Sequence, residues 1–411
     1  MISIIKEKDL VLETNNIIDL YKWIIKNKDD EFDKVSVVGD QQGIDLFEFF
    51  KFYLDVKEDC EERIKDINDN FVDFTDNKLV IDATKELVRM NSDGKFIRAC
   101  LIALGYYSKG EKGLSKGEYL PLAAAYETFQ TSILIHDDII DNADLRRGKI
   151  TIPKSYSNSF EKECNNTGDF KQKKNHISNS LGICIGDLGF YLASKIVIDN
   201  YRNNENFDRI LNLYNKIVIN TIKGEIIDVL LPFNQQYIPT TSTTEDDIME
   251  IYRLKTAWYS IIGPFSLGMV LSDYTDEEIE KMQHILYSLG IGFQIKDDIL
   301  GVFGKEDEIG KSATSDISEF KQTILYSYIS ENHPEQLKEL HKYYGKENLT
   351  NLDIEKVKDI FTNTGAKEYA TNMMNKMFED AKRELSDIDF LTTKYKQILY
   401  GFITYLDLRT K

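Results

Sequence analysis

Cysteine, proline and net positive charge are all scarce in this chain. Its 411 residues include four cysteines and six prolines. Cys60, Cys100, Cys164 and Cys184 form no C-x-x-C pair and no zinc-ligand spacing, which excludes a disulfide framework and a Cys-based zinc site. Lys and Arg total 51 against 69 Asp and Glu, a net charge of −18 that argues against a nucleic-acid partner or an anionic membrane surface. Small anionic substrates stay possible, because bound cations can invert a local field. No run of 18 apolar residues occurs; the nearest, "WYSIIGPFSLGMVLS", is broken by Ser, Gly and Pro, so no membrane span is expected. The start, "MISIIKEKDLVLETNN", lacks a signal-peptide layout. These features lead us to expect a cytoplasmic protein with reduced thiols.

What the chain does have is apolar residues at helical spacing over long segments, which predicts a mostly α fold. Residues 1–50 read as an N-terminal extension, with an amphipathic helix at Ile17–Ile25 and a strand and turn in "KVSVVGDQQGI". Residues 51–411 read as one helical domain. A polar, Asn/Lys-rich loop is expected at 154–179 and another at 232–245, with Thr243 or Thr244 capping the helix from Glu245.

Two acidic pairs end strongly apolar helices: "SILIHDDIID" with Asp137, Asp138 and Asp141, and "GFQIKDDILG" with Asp297 and Asp298. On a helix, positions i and i+4 share a face, so Asp137 and Asp141 repel unless a cation lies between them. Taken alone, such a run reads equally as a solvated acidic turn. Its place at the rim of an apolar core shifts that balance, as do the nearby bases. Lys95 and Arg98 precede the first pair, Arg146 and Arg147 follow it, and Lys311 and Lys321 follow the second. Carboxylate oxygens suit Mg²⁺ together with phosphate, Arg grips phosphate as a fork, and Lys does so as a point charge. Acid and base around apolar helices imply a diphosphate held through Mg²⁺ and carrying a greasy tail.

These motifs resemble, in order, those of the trans-isoprenyl diphosphate synthases, the polyprenyl synthetase family. "DGKFIRA" is similar to the family's GGKxxRP, and "DDIIDNADLRRG" to its first aspartate-rich motif. "LKTAWYS" is similar to its Lys-Thr motif, and "FQIKDDILGVFG" with "GKSATSDISEFKQT" to its second aspartate-rich motif and the segment after it. The resemblance implies an all-α antiparallel bundle around a central apolar cavity. It implies three Mg²⁺ ions on Asp137, Asp138, Asp141, Asp297 and Asp298. Arg146, Lys255, Lys311 and Lys321 would contact the allylic diphosphate, with Thr256 and Gln294 near the reacting carbons. Lys95, Arg98, Arg147 and Gln130 would hold isopentenyl diphosphate. A homodimer is implied as well. His136, beside the cluster, is read as helix packing.

The chain departs from the family pattern at Asp93, which replaces the first Gly of GGK, and at Ala99, which replaces Pro. Glu225 stands where Gln is common, and the second motif ends in Gly301 rather than a third Asp. Small Ser132 with Ile133 before the first motif, and bulky Phe190 and Tyr191 on the next helix, imply a C20 product; the two aromatics read equally as ordinary core residues. Farnesyl or longer products remain alternatives. So do a class I terpene cyclase, which would not need the acceptor cations, and a non-catalytic subunit of a heteromeric synthase.

Overall fold

The computed structural model describes residues 2–6, 9–14, 16–27, 35–72, 76–163, 170–238, 243–304, 315–346 and 348–409. The N-terminal segment holds three strands, β1 (Ile2–Lys6), β2 (Asp9–Thr14) and β3 (Val35–Gly39), in the order β2-β1-β3, all antiparallel, with helix α1 (Ile17–Lys26) between β2 and β3. Ile2 and Ile4 bury one face of β1. The expected helix and strand of the extension are therefore present. Its expected boundary at residue 50 falls inside the next helix, α2 (Gln41–Val72), whose apolar pattern continues unbroken.

Helices α3 (Lys78–Asn91), α4 (Ile97–Tyr107) and α5 (Lys116–Ile140) follow, then a hairpin of β4 (Leu145–Arg146) and β5 (Lys149–Ile150). Next come α6 (Ile152–Glu163), α7 (Phe170–Tyr201), α8 (Phe207–Tyr237) and α9 (Glu245–Ile251). A π-helix, Tyr252–Ile262, leads into α10 (Gly263–Leu271), and α11 (Asp276–Phe303) carries the second acidic pair. The chain closes with a helical turn at Ser315–Ser318 and with α12 (Ile324–Asn332), α13 (Pro334–Leu340), α14 (Asn351–Asn363), α15 (Ala366–Ser386) and α16 (Thr393–Leu408). Helix starts follow local chemistry. Thr244, Thr275 and Thr350 each accept from a backbone N–H at N3, and the Asp or Glu there reaches back to the cap.

The expected loop at 154–179 is mostly helix: α6 covers its first part and α7 its last, while 164–169 lie outside the described residues. Its polar residues are the solvated sides of two helices. Lys174, nearly buried, reaches the Glu161 carboxylate. The second expected loop is also shorter, because α8 runs on to Tyr237.

The chain forms two compact units. One comprises Met1–Leu54, Leu104–Lys112 and Asn212–Lys411; the other comprises Asp55–Ala103 and Gly113–Leu211. In the first, aromatic rings of α2 and α16 pack together, with Phe49 5.4 Å from Phe402 and 5.5 Å from Tyr405, centroid to centroid. In the second, α5 lies against α7 at close range. A Cβ on Gly186 would come within 2.3 Å of the His136 ring, and one on Gly189 within 2.2 Å of Ser132 Oγ, so the glycines set the approach. Pro121 interrupts α5, and the Tyr201 hydroxyl fills the broken rung. It accepts from Leu122 N at 3.0 Å and donates to Glu118 O.

Among the described residues one helical stretch, Lys173–Tyr201, is long and apolar enough to cross a membrane, with a mean hydropathy of 1.7 over an 18-residue window. It is not an unbroken apolar run, since Asp187 and Lys195 lie within it. Its glycine face packs on α5, while Ile183, Tyr191 and Ile198 are exposed on its other side.

Candidate active site

In the unit built around α5, the first acidic motif closes that helix. Asp138 is buried at 1% exposure, Asp137 is half-buried, and Asp141 is the C-cap, its N–H bonded to Asp137 O at 2.8 Å. The three carboxylates do not converge: Asp138 turns inward to Arg146. Arg146 Nε donates to Asp138 Oδ1 at 2.7 Å, and Nη2 lies 3.9 Å from Asp141 Oδ2. The arginine thus offsets the repulsion between Asp138 and Asp141.

The hairpin gives the two arginines different partners. Leu145 pairs with Ile150 and Arg146 with Lys149, leaving Arg147 and Gly148 as a two-residue turn with φ of 53° and 74°. Positive φ at both positions is the type I′ turn that suits strand twist. Arg147, a non-glycine residue, bears the strain there. Its Nη1 donates to Asp93 O, and the neighbouring Lys149 pairs with the Asp93 carboxylate. Arg89, Met90, Asp93, Thr131, Leu134, Arg146, Arg147 and Lys149 line one pocket, in which four cations face one anion.

Lys95 is exposed and Arg98 half-buried, and between them Phe96 is buried with φ 53°. Neither basic residue lines that pocket; nor does Gln130, half-buried on α5. Glu127, one turn before Gln130, is buried and accepts from Ala99 N at 3.0 Å. Burial raises its carboxyl above the usual range, against the pull of Arg98 and Arg147. The His136 ring lies 5.4 Å from Phe190, and its Nε2 is 3.2 Å from Ile183 O and 3.5 Å from Asp187 Oδ1.

Ser132 is fully buried, donates to Thr128 O at 3.0 Å and sits against Gly189, so the approach of the two helices demands its small size. Ile133 is half-buried beside it. Phe190 packs 5.5 Å from Phe129. Tyr191 is 78% exposed, which corrects its placement as a pocket floor: one residue farther along α7 the side chain turns outward.

In the other unit, α11 ends in Asp297 and Asp298. Asp298 is fully buried, and burial pushes its carboxyl up to about 7, against the attraction of Lys321. Gln294 Nε2 donates to Asp298 Oδ1 at 2.8 Å, and Thr256 Oγ1 donates to Gln294 Oε1 at 2.6 Å. Tyr252 donates its hydroxyl to Asp298 Oδ2 and accepts from Ile324 N at 2.9 Å. Thr256, Gln294 and Asp298 thus form one chain of hydrogen bonds, anchored at Tyr252. Asp297 pairs with Arg409, whose guanidinium lies 4.1 Å over the Phe293 ring.

Lys255 and Thr256 sit in the π-helix, a form frequent at functional sites. Lys255 Nζ lies 2.6 Å from both Glu225 and Asp228. Lys321 is 3.8 Å from Asp316, which holds its ammonium well above the ordinary value despite burial, with Asp298, Asp228 and Asp297 adding to the effect. Gly301 has a steric reason: a Cβ there would lie 2.1 Å from Asp316 Oδ2. Lys311 lies outside the described residues.

The sequence reading missed Tyr252, Asp228, Asp316 and Arg409. Asp228 was accessible, one helical turn after Glu225. Asp316 lies within the quoted segment "GKSATSDISEFKQT", while Tyr252 and Arg409 are brought in by the fold and carry no local signal.

The donor set is carboxylate oxygen, the chemistry of Mg²⁺. Among the described residues no three acidic, His or Cys side chains form a ready cage. Mg²⁺ commonly takes one or two carboxylates and completes its shell with water and substrate phosphate, so these residues fit a cation that arrives with a diphosphate.

Residues 81–361 match the family described as polyprenyl synthetase. The chain is 28% identical over 286 residues to the short chain isoprenyl diphosphate synthase of Methanocaldococcus jannaschii, covering 69% of this chain and 76% of that protein. It is 27% identical to the geranylfarnesyl diphosphate synthase of Aeropyrum pernix, covering 83% and 98%. A geranylgeranyl pyrophosphate synthase from Corynebacterium glutamicum, solved with isoprenyl diphosphate and magnesium, superposes with a TM-score of 0.77 at 24% identity. That superposition covers 87% of this chain and 99% of that one, a likeness that shows the all-α fold. The match spans more than half of the sequence, and the chain belongs to the polyprenyl synthetase family of trans-prenyltransferases, which use a divalent metal and act on allylic and isopentenyl diphosphates.

Proposed function

We propose that this chain condenses an allylic diphosphate with isopentenyl diphosphate, making mainly a C20 product, geranylgeranyl diphosphate. Asp137, Asp138, Asp141, Asp297 and Asp298 are assigned as ligands for three Mg²⁺ ions. Bound Mg²⁺ supplies electrostatic stabilisation of the charge that develops on the leaving diphosphate. Arg146, Lys255, Lys311 and Lys321 hold that diphosphate. Thr256 and Gln294 turn their hydrogen-bonded dipoles to the reacting carbons. An apolar lining keeps water from the allylic cation.

Lys95, Arg98, Gln130 and Arg147 hold isopentenyl diphosphate. As the allylic C–O bond breaks, the acceptor double bond forms the new C–C bond. The proton then lost from the adduct passes to the departed diphosphate.

The observation that supports this reading best is the pocket beside the first acidic motif, where Arg147, assigned to the acceptor, and Arg146, assigned to the allylic diphosphate, stand with Arg89 and Lys149. A cyclase has no use for an acceptor diphosphate. The test is incubation with dimethylallyl, geranyl and farnesyl diphosphates and Mg²⁺, with and without isopentenyl diphosphate, with products read by mass spectrometry. Elongated diphosphates that form only with the acceptor support condensation; hydrocarbon formed without it overturns the reading.

The proposal includes a homodimer. In its support, Ile219, Ile222, Ile226, Val229, Leu230 and Phe233 leave an exposed apolar stripe on α8. Light scattering at several concentrations tests it, and a monomer throughout would overturn it.

A further inference from the structure

Asp93 departs from the motif that the chain otherwise resembles, and the condensation as proposed does not use its carboxylate. Its surroundings give it a task. The β4–β5 hairpin has two residues in each strand, and Leu145 and Ile150 are exposed at 59% and 43%. So short a hairpin has little packing of its own to fix it. Arg146 ties one side to Asp138. Asp93 ties the other twice: its carboxylate takes Lys149, and its carbonyl takes the Arg147 guanidinium.

The other end of this tether is rigid. Two residues before Asp93, Asn91 is 2% exposed and bonds to Asn68 at 3.2 Å, Thr128 at 3.1 Å and Thr131 at 3.0 Å. A buried and satisfied polar network of this kind fixes one conformation. Asp93 therefore carries the order of α2, α3 and α5 outward to an exposed turn whose non-glycine residue has φ 53°.

We propose that Asp93 and Lys149 form a clasp that positions Arg147 for the incoming diphosphate. The proposal rests on the reading that this pocket takes isopentenyl diphosphate. Both partners are half in water, which sets the scale of the effect. An exposed ion pair contributes little and is screened by salt. Its loss loosens Arg147 without removing it. The cost therefore falls on acceptor binding rather than on the chemical step.

The experiment is steady-state kinetics on Asp93→Gly, Lys149→Ala, the double variant, and the exchange Asp93→Lys with Lys149→Asp. Each single variant is expected to raise KM for isopentenyl diphosphate about 3- to 5-fold, the size of one exposed pair. The kcat and the allylic KM should stay within about twofold. The double variant should be no worse than the poorer single, because both remove one interaction. The exchange should restore most of the loss, and the ratio of variant to wild-type KM should shrink in high salt. An unchanged or lower acceptor KM in Asp93→Gly, additive effects in the double variant, or no recovery in the exchange would each overturn the clasp. A wild-type protein whose products do not depend on isopentenyl diphosphate overturns the functional reading and the clasp together. Acceptor-dependent wild type with unshifted variants overturns the clasp alone.

Discussion

Removing one oxygen atom tests the buried network around the second acidic motif. Tyr252 is 2% exposed, and its hydroxyl makes two hydrogen bonds, one donated to Asp298 and one accepted from Ile324 N. Tyr252→Phe keeps the ring and deletes both. The Asp298 carboxylate loses a fixed donor, and the Ile324 N–H is left without this acceptor in a buried place. A bond to an ionisable group and an unsatisfied buried donor each cost about 1 to 3 kcal/mol, so the sum is about 2 to 6 kcal/mol. At roughly 2.1 cal/mol/K per residue, 411 residues convert this to a melting temperature about 2 to 7 °C lower. Differential scanning fluorimetry reads that shift.

The same change should lower kcat by about tenfold, equivalent to about 1.4 kcal/mol of barrier, because Asp298 no longer has one preferred orientation. It should also raise the Mg²⁺ concentration needed for half-maximal rate. A melting temperature within 1 °C of wild type (roughly 1 kcal/mol on that scale), together with an unchanged kcat, would refute the reasoning, since a hydroxyl in this network cannot be removed without cost.

Three further outcomes follow from other features. Gly301→Asp, which supplies the third acid of the fuller motif, should lower stability by about 1 kcal/mol, because it sets a second carboxylate beside Asp316 and displaces that side chain from Lys321; equal melting of the two proteins would contradict this. Phe190→Ala should lengthen the product whereas Tyr191→Ala should not, because Phe190 packs on Phe129 and Tyr191 faces outward; mass spectrometry of extracted products decides, and a shift in Tyr191→Ala alone would reverse the assignment. Chelation of divalent metal should abolish product formation while moving the melting temperature of the substrate-free protein by no more than about 2 °C, since no cage of three ligating side chains occurs among the described residues; unfolding under chelator would show a structural metal instead.

Legibility from the sequence followed the range of the interactions. The acidic motif at 137–141 and the arginines after it lie within one helix end and one hairpin, so spacing exposes them. Even there, the direction of each side chain was not readable. Arg146 folds back on Asp138 because residues 141–144 turn the chain between the end of α5 and β4. The loop expected at 154–179 shows the opposite failure, since Asn and Lys on the wet side of a helix have the composition of a loop. Ser132 was read as an opening for a growing tail. The structure explains its size first by helix contact, because Gly189 brings the α7 backbone against it.

By itself the sequence determined the helical class, the order of the motifs and the kinds of atoms that can meet a diphosphate. These follow from residue chemistry and from periods of a few residues, which need no knowledge of the rest of the chain. The tertiary structure decided which of those atoms are already engaged and by what. Arg409 reaches Asp297, Tyr252 reaches Asp298, and Asp93 reaches Lys149. Each pair joins residues many positions apart in the chain, and only packing brings them within a few ångströms. No spacing rule anticipates such meetings, because the buried apolar surface sets them and the polar groups are then satisfied where they fall.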